Sequence, residues 1–561
     1  MWKNSNQKLF FLFLAAFLLA AFLFALNQIS EADTGLLIKT GAYITEYYTV
    51  PLHDVFSYTA EGARWIAHYW LPALVFYGIT VSGGTVGLIV LVALIATLTF
   101  GLLMRVVWIR EKKIFLAFLL FPLFFGLTFG LWSPRPQIFS YCFITLLILL
   151  IELFLNTKEK KYLYAVPFLM LAWANFHAGV ILGLAVVFLF AFHEFTSEMW
   201  RFGERTKRST FVALTSLGAV FLNPNGYATL VYSQIIAPVA KALGVSEWFS
   251  LLDRLGTWES KVFLVFMVVV ALALVFGFLK RYKEDHRLDF FHWGLAVVAV
   301  ILPVISVRHV IFFPLLTFPL FIGIAYRYVD SKEFPMEEIF QKRLIRPFFF
   351  ILTLFIVAGG VNTAREFKTG PINTKLLPVH AADFIQKNGL NGPMFNLEEG
   401  GYFIWRLWPE QKVFLDGRNE VYAGTPLNDY LSIIKQSSGW RDLVDKKYGI
   451  NYFVMWYRPP IDVYANNIAV SVMNEEGFKL VYWDDTSIIL VRDVPENTGI
   501  IKNYSYNIIN PFRDPLNISP DLLPEALREV RRARIVALDS EALVRYETLL
   551  KRLAAMRGIK E

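Results

Sequence analysis

The run Tyr162–Phe195, "YLYAVPFLMLAWANFHAGVILGLAVVFLFAFHEF", decides how this chain is built. A bilayer core of about 30 Å is crossed by about 20 helical residues, because a helix rises ~1.5 Å per residue. The run is too long for one crossing, and polar "NFHAG" interrupts it. Basic clusters flank it on both sides, Lys158–Lys161 before and Arg201–Arg208 after. Short Lys/Arg-rich loops stay in the cytoplasm. Both flanks are therefore inside, and the run must cross twice as a hairpin turning outside at "NFHAG".

Working outward, further apolar runs are Leu9–Leu26, Val86–Val107, Ile114–Leu131, Ile138–Leu155, Thr210–Leu222, Val262–Leu279, Phe290–Ile305, Val310–Tyr326 and Pro347–Val361. With the hairpin they make 11 crossings. The loops then expected inside hold 22 Lys/Arg and those expected outside hold 7. The N-terminus is read as cytoplasmic and the C-terminus as outside. Composition agrees. Of 561 residues 56% are hydrophobic and 18% charged, with 52 Phe and a mean hydropathy of +0.47. An ordinary soluble domain is about 25% charged. A string of soluble domains, disorder, collagen and coiled coil are excluded. The single Cys142 excludes a disulfide framework and a cysteine zinc site. The net charge of +8 is explained by the cytoplasmic loops, not by nucleic acid.

After Val361 no span follows. "GPMFNL", "KVFLDGR", "INYFVMWY" and "FKLVYWDDTSIILVRD" read as short strands, and "AADFIQKNG" and "GWRDLVDKKYG" as helices ending at Gly. The predicted organisation is an α-helical polytopic membrane domain over 1–361 with an outer loop at 27–70. An extracytoplasmic α/β domain over 362–518 and a helical tail over 519–561 follow. The predicted location is the cytoplasmic (inner) membrane.

Ionisable groups in a membrane domain are costly unless they line water or meet a partner. Here they gather at the outer turns. The first loop carries Glu31, Asp33, His53, Asp54 and His68, and "SPRPQ" carries Arg135 and Gln137. The hairpin turn offers Asn175 and His177, "NPNG" offers Asn223, and "SVRH" offers Arg308 and His309. First-loop carboxylates can serve as a general base or hold a divalent cation. Arginine is a planar donor suited to phosphate. Together these residues predict a shared outer cavity that transfers a group from a lipid phosphate to an acceptor. No Walker loop, dinucleotide fingerprint, HExxH or GxSxG is present.

The order of "EADTGLLIKTGAYI…VPLHDVFSYTAEGARWIAHYW", "RPQIF", "WANFHAG", "LNPNG" and "GGYFIWRLWPEQKVFLDGR" resembles polytopic glycosyltransferases of the GT-C superfamily. That group includes protein O-mannosyltransferases, aminoarabinose transferases and oligosaccharyltransferase catalytic subunits. The resemblance implies a polyprenyl-phosphate-linked sugar donor and an acceptor glycan, lipid or protein. It implies that a first-loop acid activates the acceptor, which maps onto Asp33 with Glu31 beside it. The chain has Glu-Ala-Asp where relatives carry Asp-Pro-Asp, and Tyr69-Trp70 follows His68 where they carry Glu-Trp. Donor phosphate and sugar then fall to Arg135, Gln137, His177, Arg308 and His309. His53, Asp54, His68, Asn175, Asn223, Tyr402, Asp416 and Arg418 fall to the acceptor or cavity. A divalent cation, Mg or Mn on Glu31 and Asp33, is the one cofactor the reading leaves open. Two other readings compete: a transporter or flippase for a lipid-linked saccharide, and a non-catalytic membrane assembly factor that keeps the fold. A transporter would want broken helices and polar groups near the midplane, whereas the polar groups here sit at helix ends.

Overall fold

Long charge-free runs become helices because a helix satisfies its own backbone polar groups, the condition a bilayer imposes. A computed structural model describes residues 4–285, 289–328, 345–397, 399–457, 463–473, 477–538 and 540–559. It divides into two compact units: Met1–Ile29 with Ile66–Pro371, and Ser30–Trp65 with Ile372–Glu561. The stretch 30–65, which the sequence reading keeps with the membrane domain, thus clusters with the C-terminal part.

The first unit is helical. Its elements are α1 (Asn4–Phe24), then, after α2 (Ala32–Tyr47) of the second unit, α3 (Trp70–Glu111), α4 (Phe115–Phe125), α5 (Gln137–Thr157), α6 (Lys160–Tyr164), α7 (Val166–Phe176) and α8 (Val180–Ser197). These are followed by α9 (Glu204–Val220), α10 (Ala228–Ala242), α11 (Trp258–Asp285), α12 (Phe290–Ile305), α13 (Phe312–Tyr328) and α14 (Ile345–Glu366). Four helical stretches among the described residues are long and apolar enough to cross a membrane: Trp70–Glu111, Gln137–Thr157, Val180–Ser197 and Trp258–Lys283. The hairpin run folds as α7 and α8 around a turn at 177–179. α3 breaks at Gly84, where φ is 63° and ψ is −166°. Only glycine enters that region of backbone space freely. The expected span Val86–Val107 is the part beyond this break. α10 falls inside what the sequence reading took as a loop, 223–261; with polar Gln234 and Lys241 in it, α10 gave no span signal.

The many phenylalanines pack helix to helix. Phe17 of α1 meets Phe121 of α4 edge to face at 4.5 Å, and Phe139 of α5 meets Phe176 of α7 at 4.7 Å. Such pairs add about 0.5–1.5 kcal/mol each beyond area burial.

The second unit holds a four-stranded sheet in the order β1 (Met394–Asn396), β2 (Tyr452–Trp456), β4 (Ser487–Arg492), β3 (Phe478–Trp483). β1 and β2 are parallel; the other pairs are antiparallel. Nearly every strand residue is buried, so the strands read as unbroken apolar runs. α15 (Val379–Lys387) precedes β1 in sequence and α16 (Gly400–Leu407) follows it. "KVFLDGR" is not a strand. It makes one bridge, Val413 to Ser57, and its last residues are spent on ion pairs. "GWRDLVDKKYG" forms a three-residue helical turn and a short π segment in place of a full helix. The tail is two helices, Leu523–Val536 and Glu541–Met556, the second capped by Ser540. α2 lies against α16 so closely that a Cβ on Gly401 would meet the Ala32 carbonyl at 2.6 Å.

Candidate functional site

Each unit carries a polar constellation built from the predicted site residues. In the helical unit it centres on a residue the sequence reading passed over. Glu247, in a short turn between α10 and α11, accepts from both terminal nitrogens of Arg135 at 2.8 and 3.0 Å. Arg308 approaches the same carboxylate at 3.9 Å and lies over the Trp248 ring at 4.2 Å. With its amide in the orientation its neighbours require, Gln137 accepts from Arg308 at 2.9 Å and from Arg135 at 3.3 Å. Ser306 ties the turn down by donating to the Glu247 carbonyl at 2.7 Å. Thus "SPRPQ" and "SVRH", which lie far apart in sequence, converge on one carboxylate.

The imidazoles sit beside this cluster. His177 follows α7, and its Nδ1 is 2.8 Å from Ser140 Oγ. His68 stacks on Tyr232 at 3.9 Å and lies 5.8 Å from His177 between ring centres. His309 occupies the turn with Arg308. Burial, helped by the nearby Arg308, lowers His68 to about 3 and His309 to about 4. For Glu247, burial alone would raise the pKa, but Arg135 and Arg308 outweigh it and bring it to about 2. At neutral pH the two guanidiniums and one carboxylate placed here among the described residues leave a net charge near +1 among neutral imidazoles. A phosphodiester carries one negative charge, so the balance suits it. Asn175 and Asn223 do different work. Asn175 accepts from Trp70 at 3.1 Å and donates to the Leu222 carbonyl at 2.9 Å. Asn223 closes its own turn by bonding Val220, Gly226, Asn225 and Thr229.

In the second unit the first-loop acids meet the "DGR" segment. α2 starts at Ala32 with Glu31 as the residue preceding it, and the Glu31 side chain makes no capping bond. Asp33 sits inside the first turn, so its carboxylate does not cap this helix as an N-cap residue would. Both acids are half-buried. Gly417 makes room for Asp33: a Cβ there would stand 2.3 Å from Asp33 Oδ1. Next to it Arg418, 2% exposed, bonds Asp416 through Nε at 2.8 Å and Nη2 at 2.6 Å. The same Nη2 reaches Asp54 at 2.7 Å. Tyr422 donates to Asp416 at 2.6 Å, and the guanidinium lies over Trp65 at 4.4 Å. The paired carboxylates hold the Arg418 pKa well above its ordinary range despite burial, which alone would lower it. Asp54, Asp416 and Arg418 are thus assembled as a buried ion network that anchors the first loop. His53 bridges Arg64 by backbone at the loop's surface. Tyr402 is buried on α16, where its oxygen accepts from Arg406 at 3.2 Å. Among the described residues no group of three or more His, Cys, Asp or Glu is placed to hold a metal ion. Glu31 and Asp33 would need water or substrate oxygens to complete a shell.

The chain matches no protein-family profile and no curated protein sequence. Its fold is similar to the solved archaeal oligosaccharyltransferase AglB from Archaeoglobus fulgidus, determined in complex with an inhibitory peptide and a dolichol-phosphate. The TM-score is 0.53 at 10% identity, over 97% of this chain and 86% of that one. The likeness is one of fold alone, helical with a small sheet-bearing unit.

Proposed function

We propose that the protein transfers a sugar from a polyprenyl-phosphate-linked donor to an acceptor on the outer face of the cytoplasmic membrane. The observation that carries this reading is the convergence of Arg135, Arg308 and Gln137 on one small cluster whose net charge matches a phosphodiester. The similarity of fold to an oligosaccharyltransferase solved with a dolichol-phosphate supports it. The reading requires the topology that loop charge leads us to expect, eleven crossings with the C-terminal part outside.

In this reading Arg135 and Arg308 hold the donor phosphate, sharing it with Glu247. Gln137 fixes the two guanidiniums, and neutral His177 and His309 contact the sugar. Asp33 takes the acceptor's proton as the acceptor oxygen or nitrogen attacks the anomeric carbon. The bond from that carbon to the phosphate oxygen breaks, and polyprenyl phosphate leaves with the electron pair. Glu31 supports Asp33. The test is release of polyprenyl phosphate by the purified chain from a polyprenyl-phosphosugar. Asp33→Asn keeps shape and removes basicity, and should lower turnover about 10²–10⁴-fold with thermal stability unchanged. Full turnover by this variant would remove Asp33 as the base. Mass spectrometry of glycans and glycoproteins from a deletion strain identifies the acceptor.

A further inference from the structure

In the proposed reaction His177 contacts the sugar, and its hydrogen bonds fix what the ring offers there. Gly179 donates its backbone N–H to His177 Nδ1 at 3.1 Å. A backbone N–H only donates, so Nδ1 is a bare lone pair and the proton of the neutral ring stands on Nε2. The Ser140 hydroxyl agrees. It accepts from Trp173 Nε1 at 2.7 Å and gives its own proton to His177 Nδ1 at 2.8 Å. Glycine at 179 makes room for this arrangement: a Cβ there would stand 2.6 Å from Ser140 Oγ and 2.8 Å from His177 Nδ1.

The neighbouring ring has the reverse polarity. His68 Nδ1 lies 3.2 Å from the Ile66 carbonyl, which only accepts. Nδ1 therefore carries the proton, and Nε2 keeps the lone pair. Tyr232 at 3.9 Å and Tyr69 at 4.6 Å between ring centres hold the His68 ring in place. Withdrawal from water, reinforced by the nearby Arg308, disfavours a second proton on either imidazole. For neither Nε2 do the described residues supply a hydrogen-bond partner.

The two imidazoles stand 5.8 Å apart between centres. A hydrogen bond of about 2.8 Å puts an oxygen within roughly 4 Å of an imidazole's centre, so one oxygen can serve both rings. A hydroxyl suits such a pair, because it accepts and donates at once. A phosphate oxygen without a proton satisfies His177 alone. We propose that His177 and His68 together read one hydroxyl of the transferred sugar, His177 donating to its oxygen and His68 accepting its proton. This role rests on the glycosyl-transfer reading and makes the pair a determinant of which sugar is taken: a sugar without a hydroxyl at that point leaves both nitrogens unmatched.

Two measurements test it, both on the full chain in detergent. With the histidine rings labelled with nitrogen-15, the NMR signals lost in His177→Gln should be those of a ring protonated at Nε2 and bare at Nδ1. The signals lost in His68→Gln should show the opposite, and both patterns should hold from about pH 6 to about pH 8. The second measurement is binding of bare polyprenyl phosphate and of its glucose, mannose and galactose esters, which between them vary the hydroxyls at two ring positions. At least one ester should bind more tightly than the bare phosphate. That ester should lose about tenfold in His177→Leu and in His68→Leu, and less in the Gln variants, which keep a polar group there. Bare polyprenyl phosphate should bind all these chains alike. No binding of bare polyprenyl phosphate to the parent would bring down the glycosyl-transfer reading and this role with it. Bare phosphate bound, with no ester tighter or none weakened by the Leu variants, would overturn the hydroxyl pair alone. So would either ring in the other tautomer, a result that needs neither Leu variant to fold.

Discussion

Asp54→Asn separates a structural role from a chemical one. Asp54 and Arg418 are each 2% exposed and meet at 2.7 Å. The Asp54 carboxylate also accepts from the Phe56 and Ser57 backbone at 3.1 and 3.2 Å and from the Ser57 hydroxyl. The substitution leaves those acceptor positions half filled and removes one of the two charges that balance Arg418. Breaking a buried ion pair by neutralising one partner costs about 3–5 kcal/mol. Asp416 remains on the guanidinium through two bonds, which places the expected loss at the low end, about 3 kcal/mol. For a unit of this size that is a fall of about 6–12 °C in melting temperature. The assay is thermal unfolding of the full chain in detergent, with hydrogen exchange followed across residues 50–60. Protection should fall there first, because Arg418 is what holds the loop. Turnover, measured below the new melting temperature, should stay within a few-fold of the parent. An unchanged melting temperature and exchange pattern with turnover lost would refute the reasoning and return Asp54 to the chemistry that the sequence reading assigned to it.

The other expectations are briefer. Gly417→Ala pushes on the Asp33 carboxylate, the flexible end of a side chain, which supplies the three atoms nearest the new Cβ; turnover should fall at least tenfold with melting unchanged, and an unaffected rate would show that the Asp33 position does not matter. Arg135→Lys and Arg308→Lys keep charge but lose the fork, so donor binding should weaken about tenfold, and unchanged donor affinity in both would leave the arginines with Glu247 as a purely structural tie. A phosphatase fused after Glu561 should be active and one fused at Lys283 silent; activity at Lys283 would invert the topology and put the proposed donor site on the wrong face.

What the sequence made legible was set by how local the physics is. The hairpin over Tyr162–Phe195 could be read because length, a polar interruption and flanking charge all act along the chain. The core strands β2, β3 and β4 could be read because a strand buried on both faces is a continuous apolar run. "KVFLDGR" has the same look and is not a strand: Arg418 pairs with both Asp416 and Asp54, and that fixes the backbone in place of a ladder. The helix α10 was hidden because its polar residues removed it from the list of spans, and no rule of loop charge asks whether a loop is helical. The sites show the same division. Arg135 and Arg308 stood out, since a lone cation in a short outer turn runs against the charge rule. Their partner did not. Glu247 is one of several acids in the stretch 223–261, and nothing local marks it except the Trp248 that follows. Two arginines in the outer turns nonetheless imply a carboxylate or a ligand close by, because a guanidinium drawn out of water and left alone is too costly to persist. That inference was available from charge bookkeeping alone. It also states what the proposed donor must do: a phosphate entering this cluster has to share both guanidiniums with Glu247, and its affinity is set by that competition more than by the number of cations present.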